Sequence, residues 1–81
     1  MNTVKGSIVK ALAGKEKGSF FLAVAVDSTY VYIADGRRRK VERPKKKKLI
    51  HVSATNTIVK GSFETNPQIK RILNEFIKNG G

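Results

Sequence analysis

From Gly18 to Gly36 the chain reads GSFFLAVAVDSTYVYIADG: two apolar runs of strand length, split by Asp-Ser-Thr and closed by Asp-Gly. This pattern most narrows the possible folds. The β-branched and aromatic content and the flanking glycines favour strands over a helical segment of the same hydrophobicity. Asp-Gly is a strong hairpin signal because glycine accepts the positive φ of such turns. Strand alternation puts Phe20, Leu22, Val24 and Val26 on one face, and Phe21, Ala23 and Ala25 on the other. The larger set is expected to point inward, and the alanines to admit a close neighbour. In the second run, Val31 and Ile33 are expected in the core, with Tyr30 and Tyr32 on the opposite face.

The flanking segments extend the same theme. Residues 6–12, GSIVKAL, read as a strand, and AGKEKG after it as a turn punctuated by Gly14 and Gly18. After Asp-Gly the chain is expected to return as a strand through Arg37, Arg38, Arg39, Lys40 and Val41. Pro44, which lacks a donor N–H, ends or edges that strand. LIHVS, residues 49–53, reads as one more. About five short strands joined by tight turns predict a mostly β fold, a small five-stranded barrel or a pair of packed sheets.

The period then changes. Residues 54–65 are less regular, with TIVKGSF as an extended segment. Asn66 suits an N-cap and Pro67 a first helical position. Ile69, Ile72, Leu73, Phe76 and Ile77 form one apolar helical face, and Asn79-Gly80-Gly81 stops the helix. A helix this short is marginal in water alone. It is expected to pack on the barrel against the alanine face of the second strand; a partner-binding helix is the alternative. The organisation is thus a barrel over residues 1–56 and an extended segment with helix over 57–81, forming a single domain overall.

Eighty-one residues carrying a net charge of +11 with 40% hydrophobic content describe a folding sequence with excess positive charge. Such excess favours a polyanionic partner, nucleic acid or an anionic surface, over a charge that serves solubility alone. Cysteine is absent, so neither a disulfide nor a thiolate metal site is available. No apolar run approaches the ~20 residues of a membrane span. The N-terminus lacks the uninterrupted apolar stretch of a signal peptide, so the expectation is a cytoplasmic protein.

Catalytic chemistry has few candidates. His51 is the lone histidine, and Glu16, Asp27, Asp35, Glu42, Glu64 and Glu75 are scattered. Asp27 and Asp35 read as turn formers. GKEKG is too short for a Walker A loop. The expectation is a non-enzymatic protein with no catalytic residue, no metal and no cofactor.

The basic groups fall into two clusters: Lys10, Lys15 and Lys17, then Arg37, Arg38, Arg39, Lys40, Arg43, Lys45, Lys46, Lys47 and Lys48. Arginine's planar fork suits bidentate phosphate contact, whereas lysine acts as a mobile point charge. Contacts of this kind set position and affinity but carry little sequence information. The arginine half is expected on or beside a strand, and the lysine half after Pro44 as a mobile loop that orders on RNA. Tyr30, Tyr32 and Phe21 offer stacking surfaces if exposed; the competing reading makes them cover for the helix or barrel edge.

Residues 4–53 also carry a resemblance. GSIVKALAGKEKGSFFLAVAVD resembles a KOW motif, and YVYIADGRRRKVERPKKKKLIHV after it resembles the large-subunit ribosomal protein L-fourteen-e family and its stand-alone bacterial KOW-domain relatives. The short ending NPQIKRILNEFIKNGG looks more like the bacterial relatives than like the ribosomal members, which continue into extensions of their own. The resemblance implies an SH3-like barrel that binds structured RNA, typically ribosomal. It places RNA contacts at Lys10, Lys15 and Lys17, and at Arg37 to Lys40, Arg43 and Lys45 to Lys48. A monomer acting on the ribosome or its RNA is the leading expectation. The alternative is a NusG-like KOW interaction module that contacts a polymerase or a ribosomal protein.

Overall fold

The structure, a computed structural model, describes residues 2–80. Its elements are β1 (Ser7–Ala11), β2 (Phe20–Val26), β3 (Tyr30–Ala34), β4 (Lys45–Lys48), β5 (Val52–Ile58) and α1 (Asn66–Lys78). All strands join one antiparallel sheet in the order β4-β3-β2-β1-β5. The mostly β fold with five strands and a C-terminal helix is therefore observed.

Strand order alone forces this sheet to curl. In a flat sheet the edge strands β4 and β5 would lie about 19 Å apart, at four spacings of ~4.8 Å. They are joined by a single 3-10 turn, Leu49–His51, which advances only about 2 Å per residue. The turn is tied at both ends. The Leu49 N–H donates to the Thr29 carbonyl (2.9 Å), and the Leu12 N–H donates to the His51 carbonyl (2.9 Å). No backbone ladder joins β4 to β5 among the described residues.

The curl creates two apolar regions. Inside it lie Val9, Ala11, Phe21, Ala23, Val31, Ile33 and Val52. Between its outer face and α1 lie Ile8, Leu22, Ala34, Ile69 and Leu73, flanked by Phe20, Val41, Phe63 and Phe76. This reverses the expected orientation of β2: Phe21 and Ala23 point inward, and the Phe20–Leu22 face meets the helix. The concave side of a small, tightly curved sheet has limited room, and alternating small and large side chains fill it. The helix rests instead on bulk, with the Phe20 and Phe76 rings edge to face at 5.1 Å.

A β-bulge accounts for the residues at the end of β2, Ala25 and Val26, that leave their expected faces. Ala23 pairs with Ile33, but Ala25 pairs with Tyr32, so Val24 is an extra residue. Beyond it the sides exchange, and Val26 packs on the inner cluster opposite Val31. Val31 and Ile33 are fully buried as expected.

Three further local expectations are corrected. The segment after Asp35 does not return as a strand. Residues 36–44 form an irregular loop, and the lysine tetrad Lys45–Lys48, expected to be mobile, is the strand β4. Leu49–His51 is the 3-10 turn, not part of a strand, and β5 starts at Val52. Thr65, not Asn66, caps α1: its hydroxyl accepts from the Gln68 N–H while the Gln68 side chain accepts from the Thr65 N–H, a capping box. Asn66 is thereby free to hold the basic loop. Ile77, at 54% exposure, contributes little to the apolar face.

Candidate nucleic-acid interface

The loop that carries the arginines is fixed by one carboxylate. Asp35 Oδ1 accepts from the N–H groups of Arg37 (2.8 Å) and Arg39 (2.9 Å), and the Asp35 N–H donates to the Arg39 carbonyl (3.0 Å). Asp27 performs the same service at the β2–β3 turn, accepting from Thr29 and Tyr30. These two N–H donors hold the Asp27 carboxyl below its ordinary range. Farther along the loop, the Val41 N–H donates to Asn66 Oδ1 (2.8 Å) and Asn66 Nδ2 donates to Glu42 (2.8 Å). Gly36, with φ of +79°, lies so close to α1 that a Cβ there would fall 2.5 Å from the Asn66 carbonyl oxygen.

β4 presents its lysines on two sides. Lys45 and Lys47 stand opposite Ile33 and Val31, and Lys46 and Lys48 stand opposite Tyr32 and Tyr30. Lys47 reaches across to the β1–β2 turn, where its Nζ donates to the Ala13 carbonyl (2.8 Å). Lys46 sits over the Tyr30 ring, 4.2 Å from its centroid. Glu16 in the same turn accepts two bonds from Arg39, at 2.9 and 3.2 Å from Nε and Nη2. The Glu16 side chain is only 13% exposed. The Arg39 fork is the main reason its carboxyl titrates below the ordinary value, aided by the charges of Lys47 and Lys45. Reciprocally, Glu16 raises the Arg39 guanidinium.

The product is one open groove of about 510 Å³ in which both sequence clusters meet. Its walls include Lys15, Glu16 and Arg39 on one side and Tyr30, Lys45 to Lys48 and His51 on the other. Such a wall sets lysine and arginine side chains beside the Tyr30 ring, an arrangement suited to phosphate contact with base stacking nearby. Not every expected site residue joins it. Lys10 lies on β1 near the Phe20 ring (5.9 Å), facing the helix side. Lys17, Arg38, Lys40 and Arg43 are exposed around the turn and loop. Arg37 turns to the opposite side, toward α1. Tyr30 and Tyr32 are half-buried, while Phe21, at 2% exposure, is core and cannot stack on a base.

Sequence reasoning missed two contributions. His51 lines the groove because the 3-10 turn brings it back beside β4. Lys70, Arg71 and Lys78 line a second groove with Arg37. Their spacing around Asn74 marks a single helix face, a signal present in the sequence beside the apolar stripe. Among the described residues, no group of three or more His, Asp or Glu side chains is placed to hold a metal ion. No helix among them is long and apolar enough to cross a membrane. In comparison with known proteins, no family model and no curated sequence matches this chain.

Proposed function

We propose that this protein is a non-enzymatic RNA-binding module of the translation apparatus, working in the cytoplasm on structured, ribosomal-type RNA. The observation that carries the reading is the groove between the β1–β2 turn and β4, where Lys15, Lys45, Lys46 and Lys48 line one cleft with Tyr30, whose ring Lys46 overlies. Arg39 and Lys47 act there as struts, since their charged ends are engaged by Glu16 and the Ala13 carbonyl. The remaining lysines take phosphates, and Tyr30 and Tyr32 take unstacked bases at the margin. The KOW resemblance of residues 4–53 supports the same conclusion.

The test is a salt titration of binding to ribosomal RNA fragments. With about 5 phosphates neutralised, log affinity falls against log salt with a slope of roughly −3.5 to −4.5. The variant K45Q/K46Q/K48Q keeps its fold, because these side chains are exposed, and flattens the slope by about 2 to 3. A salt-independent affinity would refute the reading. A partner that stays bound after RNA digestion would favour the protein-interaction alternative.

A further inference from the structure

A second basic surface lies beyond the β4 groove. Arg37, Lys70, Arg71 and Lys78 line a separate open groove of about 530 Å³, together with Pro67, Asn74 and Glu75. It shares no lining residue with the β4 groove. The division arises within the loop held by Asp35: Arg39 goes to Glu16, while Arg37, two residues earlier, goes to the helix.

A solvated helix face is the simplest account of charges on α1, and it fits poorly. Such faces interleave opposite charges at i, i+4. Here Arg37 from the loop and Lys70, Arg71 and Lys78 from α1 share the groove with one carboxylate, Glu75. Although Glu75 follows Arg71 by four residues, no ion pair joins it to any of the four cations among the described residues. Helix-dipole complementarity explains Lys78 in the last turn, but not Lys70 or Arg71 near the start. The Arg37 loop is also held against α1 by the Asn66 bonds to Val41 and Glu42 and by the close approach of Gly36. Convergence of like charges is unfavourable unless an anion relieves it.

We propose that this groove is a second phosphate-backbone site, so that one protein molecule holds two RNA segments, one on each side of the 35–39 loop. The inference rests on the RNA-binding reading of the β4 groove. Asn74 adds an amide able to donate to a phosphate or to pair with a ribose hydroxyl. The two segments are brought within the width of a molecule whose largest extent is 27 Å, which suits a protein that fixes one RNA helix beside another.

The experiment mixes the protein with two short RNA hairpins, one carrying a donor dye and one an acceptor, and measures stoichiometry by calorimetry. Wild type is expected to bind two hairpins and give energy transfer between them. R37Q/R71Q/K78Q, all exposed positions, is expected to bind one hairpin with no transfer. K45Q/K46Q/K48Q is expected to do likewise, using the helix groove. One hairpin per wild-type molecule, or undiminished transfer in R37Q/R71Q/K78Q, overturns the second site and leaves the first intact. No binding of either hairpin by wild type overturns the RNA reading itself.

Discussion

Gly36 concentrates two constraints at one residue. Its φ of +79° is unfavourable for any residue with a Cβ, and the space beside it is filled by the Asn66 carbonyl and Lys70 Cγ. Gly36→Ala is therefore expected to destabilise the protein by about 2–5 kcal/mol, from backbone strain plus overpacking. Gly18, also at positive φ but with open space around it, is the control: Gly18→Ala carries the strain alone, about 1–2 kcal/mol. Urea denaturation of both variants checks the pair, and equal losses would show that the contact with α1 is unimportant. Glu16 is a second informative residue. Its folded carboxyl titrates below the ordinary 4.5, so the stability it contributes is present above that pH. That stability is lost as pH falls through the lowered value. Glu16→Gln is expected to weaken the protein at neutral pH and to blunt the acid-side loss, measured as midpoints from pH 6 down to pH 3. Neither role is visible in sequence. Asp-Gly announces a turn at Gly36, but the approach of Asn66 is a tertiary fact, and the Glu16–Arg39 pair spans 23 positions.

At the scale of elements, α1 depends on its buried residues more than on its own propensity. Leu73→Ala is expected to cost about 2–5 kcal/mol, because Leu73 is 5% exposed in the helix–sheet core. Ile77→Ala at the exposed rim is expected to change stability by less than ~0.5 kcal/mol. Thermal unfolding of both variants checks this. The apolar stripe of α1 and the alternation in β1, β2 and β3 are legible because each is a local periodicity with turn signals at its ends. β4 is not. Four lysines have poor strand propensity, and they become a strand because β3 offers them an open ladder. The Val24 bulge is equally silent, since nothing in AVAV marks which residue is extra. The two misreadings are linked: once the Arg segment is held as a loop by Asp35 and Asn66, the return strand falls to the next residues, Lys45–Lys48.

For the whole molecule, the order β4-β3-β2-β1-β5 brings together basic residues that lie far apart in sequence. The turn at 13–16 meets β4 because the sheet curls, and the helix meets the Arg loop because Asn66 binds Val41 and Glu42. The charge run was legible as a concentrated basic surface; its division between two grooves was not, because that depends on the opposite headings of Arg37 and Arg39. The lysine strand also lies at the open edge of the sheet. An unpaired edge invites the same edge of another molecule, and charged side chains oppose that pairing. Two β4 strands laid side by side would set lysine against lysine along their whole length. Replacing Lys46 and Lys48 by Thr is expected to increase self-association, detectable by sedimentation at rising protein concentration. Under the proposed RNA-binding reading, the lysines that meet the polyanion are thus the same ones that keep copies of the protein apart, and RNA that neutralises them would take over the task of shielding the edge.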